Sequence, residues 1–175
     1  MEIGDKDIVQ AMGRDMQEGF RMLVARYKQP LYWHIRRMVV SHSDAEDALQ
    51  EAFIRIFRAF DRKGEVSSLR AWIFRIATNE ALRLIEKRRE NSIPIEKVFD
   101  TKADSYIDYS DLEAIKLQKA ILALPPKQQL VFNLRYYDEM DYDEIAQIAE
   151  TTPTSAKASY YVAKEKIVKE LRVES

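Results

Sequence analysis

The sequence has no cysteine among its 175 residues. Disulfide scaffolds and thiolate metal sites are therefore excluded. Glycine and proline are scarce, four and five in all, and long stretches carry neither, which favours a mostly helical chain. No apolar run approaches the roughly 20 residues needed to cross a bilayer. The first ten residues, MEIGDKDIVQ, are acidic and polar and do not resemble a secretory signal. No membrane insertion is expected, and the expected compartment is the cytoplasm. Strong charge of either sign is also missing: the formal net charge is −1. Any nucleic-acid site must then be a local basic face on a near-neutral protein. The balance counts against tight stand-alone DNA binding, because phosphate contacts supply most non-specific affinity.

What is present is 46% hydrophobic and 33% charged residues, the make-up of a globular protein with a real core. The spacing predicts helices at Asp5 to Met12, Gln17 to Tyr27 and Pro30 to Val40, with Pro30 opening the third at its first turn. Ser43 and Glu46 form a capping box for a helix reaching about Phe60. After the loop DRKGEV, another helix begins at Ser67 or Ser68 and ends in EKRRE. From Asn91 to Tyr109 the helical period decays. Ser110 with Glu113 then marks a second capping box, followed by helices at Leu112 to Leu122 and Lys127 to Tyr136. Asp141 with Glu144 opens a short helix to Ala149, and Pro153 starts a last one to about Leu171. The expected fold is all-α, with helical domains at 1–90 and 111–175 joined by a flexible linker at 91–110. The C-terminal domain is expected to be a helix-turn-helix.

In SDAEDALQEAFIRIFRAF the residues Ala45, Ala48, Leu49, Ala52, Phe53, Ile56 and Phe60 form one stripe, the core face. The opposite face holds Asp47, Glu51, Arg55 and Arg58, with Gln50 at its margin and Ile54 among them. A charged face with one stray apolar residue is ordinary surface, or it is an interface with one anchor ringed by charge. A carboxylate metal site built on Glu46, Asp47, Glu51 and His42 is the enzyme alternative. Glu46 is better used in the cap, and no Glu-x-x-His pair matches it. The two histidines, His34 and His42, read as structural or surface residues. Neither a nucleophile elbow nor a Gly-rich phosphate loop appears. No metal, cofactor or catalysis is expected.

In LRAWIFRIATNEALR the apolar residues Leu69, Ile73, Ile76 and Leu84 define a buried stripe. Trp72, Arg75, Asn79 and Arg83 fall together along its flank. Further on, DYDEIAQIAETTPTSAKASYYVAKEKI reads as a short helix, a tight turn and a longer helix. That is the arrangement that places a second helix in the DNA major groove. Ala156, Tyr160, Ala163 and Ile167 align inward. Thr154, Lys157, Ala158, Tyr161 and Val162 point outward, with Lys164 flanking. Lysines suit phosphate, and small apolar side chains suit thymine methyl groups.

Together these motifs resemble those of bacterial RNA polymerase sigma factors of the extracytoplasmic-function group. The resemblance rests on DAEDALQEAFIRIFR, LRAWIFRIATNEALR, LPPKQQLVFNLRYYDEMDYDEIA and TSAKASYYVAKEKI, in that order. It implies an alternative sigma factor that binds core RNA polymerase and promoter DNA and has an anti-sigma protein as a further partner. It implies polymerase contact through Asp47, Gln50, Glu51 and Ile54. It implies capture of the minus-ten element as single-stranded DNA by Arg62, Lys63, Ser67, Ser68, Trp72, Arg75, Asn79 and Arg83. Trp72 serves there as an aromatic wedge or as core support. Single-strand capture uses this mix of stacking planes and cations, and the loop DRKGEVSSL would help form a base pocket. The minus-thirty-five element would be read as duplex by Arg135, Thr154, Ser155, Lys157, Ala158, Tyr161, Val162 and Lys164. The last helix departs from the family pattern, with Lys157-Ala158-Ser159 and Val162-Ala163-Lys164 where relatives often carry more arginine. Its phosphate contact should accordingly be less electrostatic.

Overall fold

A computed structural model describes residues 3–63, 68–91 and 111–173. Every regular element among them is a helix. The N-terminal set is α1 (Asp5–Arg14), α2 (Met16–Val39), α3 (His42–Ala59), a short 3-10 turn at Phe60–Arg62, and α4 (Leu69–Glu90). The C-terminal set is α5 (Leu112–Leu122), α6 (Pro126–Tyr136), α7 (Tyr142–Ala149) and α8 (Pro153–Val173). Residues 92–110 of the expected linker and 64–67 of the loop after Phe60 lie outside the described residues.

The sequence reading split α2 at Pro30, and the structure does not. One helix runs through that proline. A mid-helix proline costs about 3 kcal/mol through a lost hydrogen bond and a ring clash. Here Leu23 and Tyr27 before it and Leu31, His34 and Ile35 after it are all buried on one side. Burying such a side chain contributes roughly 1.5–3 kcal/mol, so continuity of the buried face wins. Two caps are also corrected. Ser41, not Ser43, caps α3, accepting the Asp44 N–H at 3.3 Å, and Glu46 instead meets His42 at 3.3 Å. Asp111 caps α5, its carboxylate accepting the N–H groups of Glu113 and Ala114, and Ser110, where the sequence reading put that cap, lies outside the described residues. Ser68 and Asp141 cap α4 and α7 as read.

Gly19 sits where α1 crosses α2. A Cβ there would lie 2.3 Å from the Met12 backbone nitrogen, so only glycine permits this approach. The α2–α3 connection is a tight three-residue turn: Val40 adopts φ 71° and ψ −46°, and the Ser41 N–H donates to the Val39 carbonyl at 2.8 Å. This is the rare, strained γ-turn. Arginines hold it from two sides. Arg36 Nε donates to the Val40 carbonyl at 2.7 Å, and Arg88 Nη2, from α4, donates to the Val39 carbonyl at 2.6 Å.

Helix α4 buries two faces rather than one stripe. Ala71, Phe74, Ala77, Thr78 and Ala81 are buried along with Leu69 and Ile73. It packs on α2 and α3 on one side and on α7 on the other. The two helical sets are therefore not separate beads. One apolar cluster runs from Ile35 and Phe74 through Leu134, Met140 and Ile145. A second cluster, around Ile121, Phe132, Ala163 and Ile167, belongs to the C-terminal set alone.

Candidate nucleic-acid and partner interfaces

Three surfaces carry the residues singled out from sequence. The first is the outward face of α3. Its inner side is anchored by Ala45, Ala48, Leu49, Ala52 and Ile56, which leaves Asp47, Gln50 and Glu51 in solvent. Ile54 is 36% exposed and Phe57 40%. Both line an open apolar groove of about 750 Å³ between α2 and α3, with Phe20, Val24, Leu49 and Phe53. Phe20 meets Phe57 edge-on at 5.1 Å and Phe53 at 6.1 Å. Sequence reasoning found Ile54 but missed Phe20, Val24 and Phe57. The exposed Phe57, one turn from Ile54, was the available signal. Arg55 is engaged elsewhere, in an ion pair with the buried carboxylate of Glu80 on α4.

The second surface is the edge of α4. The structure brings Trp72, Arg75, Asn79 and Arg83 into one row. Arg75, Asn79 and Arg83 are exposed and Trp72 is half-buried. The Trp72 ring packs edge-on against Phe60 at 6.4 Å, so its inner edge belongs to the core. Arg83 also reaches Glu80 at 3.0 Å. Arg62 is exposed, and Lys63 lies over the Phe60 ring at 4.6 Å. Ser67 lies outside the described residues.

Arg75 of this row, with Ser68 and Arg70 before it, reaches the C-terminal set, a relation no sequence pattern indicates. Ser68 Oγ donates to Glu144 Oε2 at 3.1 Å while accepting the Ala71 N–H. Arg70 forks onto both oxygens of Glu144 at 3.0 and 2.7 Å. Arg75 reaches Glu150 at 2.7 Å. Behind these pairs, Arg37 of α2 sits over the Tyr137 ring at 4.1 Å. His34 accepts or donates a bond with Thr78 Oγ1 at 2.8 Å, and its other ring nitrogen faces Asp138 at 3.9 Å. Burial, with Arg37 adding to it, pushes the His34 imidazole down to about 3, and burial pushes the Asp138 carboxyl up to about 6. The imidazole is neutral at pH 7, so this contact is not an ion pair.

The third surface is the outer face of α8. Ala156, Ala163 and Ile167 are buried and Tyr160 half-buried. Thr154, Ser155, Lys157, Ala158, Tyr161, Val162 and Lys164 are all exposed on the other side. A short helix, a turn closed by Glu150 in the left-handed region (φ 55°), and a long helix give helix-turn-helix geometry. Arg135 is not on this face. It is half-buried, donates to the Met140 carbonyl at 2.8 Å and lies over the Tyr142 ring at 4.7 Å.

Comparison with known proteins gives these surfaces a family. Residues 23–91 match the model for sigma-70 region 2, and residues 114–167 match that for sigma-70 region 4. The chain belongs to the sigma-70 family, in its extracytoplasmic-function group. It is 29% identical to the ECF RNA polymerase sigma factor SigW of Bacillus subtilis (strain 168), over 98% of this chain and 99% of that protein. It is 27% identical to the ECF RNA polymerase sigma-E factor of Escherichia coli (strain K12), over 95% and 93%. Among solved structures, the fold is similar to that of CnrH in complex with the cytosolic domain of CnrY. The TM-score is 0.77 at 20% identity, covering 98% of this chain and 99% of that one. It is also similar to the sigma factor RpoE in complex with the anti-sigma factor NepR from Bartonella quintana, with TM-score 0.70 at 21% identity, covering 89% and 98%. A sigma factor of this group binds core RNA polymerase and directs promoter recognition and transcription initiation. No described helix is long and apolar enough to cross a membrane.

Proposed function

We propose that the three surfaces divide promoter recognition among them. Residues 1–90 form the domain that meets polymerase and the minus-ten element, 91–110 the connecting linker, and 111–175 the domain that reads the minus-thirty-five element. The groove face of α3 docks on polymerase. Ile54 and its apolar neighbours supply contact area, and Asp47, Gln50 and Glu51 supply a charged rim that sets orientation. The row on α4 takes the minus-ten element as a single strand. Asn79 offers both a donor and acceptors to a base edge, Arg75 and Arg83 neutralise phosphate, and the outer edge of Trp72 is a stacking plane. The exposed face of α8 enters the major groove, with Lys157 and Lys164 on phosphate and Ala158 and Val162 on thymine methyl groups.

The protein has no catalytic chemistry of its own and acts on polymerase in the cytoplasm. Linking two weak DNA sites through polymerase multiplies affinity by effective concentration, which suits a near-neutral chain. CnrH and RpoE were each solved with a partner, CnrY and the anti-sigma factor NepR. An anti-sigma protein is likewise assigned as this chain's inhibitor.

The observation that carries the reading is the exposed Ile54 among Asp47, Gln50 and Glu51, an apolar anchor on an otherwise charged face. The test is size-exclusion chromatography of the purified chain with sigma-free core polymerase. Co-migration is expected for the wild type, and a folded chain that runs apart from polymerase overturns the reading. In the resulting holoenzyme Asn79→Ala should abolish promoter opening while leaving polymerase binding intact.

A further inference from the structure

We infer that Glu80 is a positioning residue for polymerase docking: its buried carboxylate draws Arg55 off the outward face of α3 and leaves Glu51 open to a basic partner surface. The inference rests on the reading of α3 as the docking face and adds to it a residue that itself touches no partner. Glu51 and Arg55 stand four positions apart on α3 with the acid first, the favourable order for an ion pair along a helix. Helix geometry alone would join them and cancel both charges. They are not joined. Arg55 Nε pairs with Glu80 Oε1 across the α3–α4 contact. Among the described residues, Glu51 has no cation within ion-pair distance.

The choice follows from where the two carboxylates lie. The Glu80 side chain is 8% exposed, whereas Glu51 stands in solvent. An exposed pair along a helix contributes little, because water serves each charge nearly as well. A buried carboxylate stripped of its cation is costly. Arg55 therefore goes to Glu80. Arg83 reaches the same oxygen at 3.0 Å from the next turn of α4. When Arg83 turns to phosphate, Arg55 is the counter-ion that remains. The outcome is a charge pattern on α3 that its own sequence does not carry. Glu51 faces outward without a countercharge, one turn from the apolar anchor Ile54, and the arginine beside them is turned toward α4. Complementary charge on a polar rim steers encounter and fixes register. The surface that fits offers a lysine or arginine to Glu51 and an apolar side chain to Ile54.

The chain has no cysteine of its own, so a dye on Lys169→Cys, exposed on α8, labels the full-length protein at one place. Unlabelled variants then compete with it for sigma-free core polymerase. Glu80→Gln keeps the shape of the side chain and releases Arg55 to Glu51. Its affinity for polymerase should fall about fivefold, and by less as salt is raised. Adding Arg55→Gln to Glu80→Gln removes the arginine that covers Glu51 and should bring affinity back to within about twofold of wild type. Adding Arg89→Gln instead gives the same net charge and should restore nothing. Arg55→Gln alone leaves Arg83 on Glu80 and should bind at least as tightly as wild type. Unchanged affinity in Glu80→Gln overturns the inference. So does a loss that Arg55→Gln fails to relieve, which is the mark of a displaced helix. Weaker binding by Arg55→Gln alone overturns it as well, and that measurement does not depend on a folded Glu80 variant. Glu51→Gln separates the inference from the reading beneath it. Unchanged affinity there places the fault in the assignment of α3, and the role of Glu80 falls with it.

Discussion

Asp138 Oδ2 lies 3.9 Å from His34 Nδ1, and neither atom has a hydrogen-bond partner. The two groups face each other across the junction of α2 with the turn between α6 and α7, in a place dry enough to disfavour either charge. Their neighbours Arg37 and Arg70 pull the Asp138 carboxyl down, yet desolvation wins and it rests near 6. An acid whose folded value is raised stabilises the fold below its unfolded value of 3.8, and that stability is lost as pH rises through about 6. An imidazole lowered to about 3 stabilises above 6.5 and loses that as pH falls toward 3.

Between pH 6.5 and 4 the two effects therefore oppose each other. Asp138→Asn removes the carboxyl's share. Stability of this variant should exceed wild type above pH 7, by at most about 3 kcal/mol, and the advantage should vanish near pH 4. Urea melts across that range check it. A variant less stable than wild type at pH 7.5 would show that the carboxylate has a partner that matters.

Gly19→Ala should destabilise the α1–α2 pair. Its new methyl meets backbone of Met12, which cannot swing aside as a side chain can. Overpacking of this kind costs about 1–3 kcal/mol. An unchanged melting temperature would mean that α1 is free to shift.

For Ile54→Asp, polymerase affinity should fall by at least about tenfold, as for an interface anchor, with helix content unchanged by circular dichroism. A variant that unfolds would place Ile54 in the core. Its partial exposure argues otherwise.

Trp72 separates packing from DNA contact by substitution. Trp72→Ala should cost about 2 kcal/mol, less than a fully buried tryptophan, because only its inner edge packs on Phe60. Trp72→Phe should keep most of that stability while reducing promoter opening. Equal losses of stability in both variants would leave no separate role for the indole.

The parts of the fold that were legible in sequence were those written in short-range pattern. The α3 stripe and the inward row of α8 have clean helical spacing, and the structure buries them. Pro30 misled because a local breaker was judged without the long-range burial of Tyr27, Leu31 and Ile35 that carries α2 past it. The caps of α3 and α5 slipped because two capping-type residues stand close in sequence at each start, Ser41 and Ser43 before α3 and Ser110 and Asp111 before α5. Helix α4 reads as weakly amphipathic because it is packed from two sides. The bonds from Arg70 and Arg75 to Glu144 and Glu150 join residues 74 and 75 positions apart. No periodicity can show them.

The strained turn at Val40 has a mechanical meaning. Arg36 and Arg88 clamp the carbonyls on either side of it, and Arg88 also holds Asp44 in the first turn of α3 at 3.1 Å. The angle between α2 and α3 is thereby locked by the same helix that carries the α4 row. The groove between them is a finished mould rather than a soft surface. A helix seated there forfeits little freedom on the sigma factor's side. Loosening the clamp, for instance at Arg88, should blunt polymerase affinity from a distance, through the entropy of an unfixed hinge.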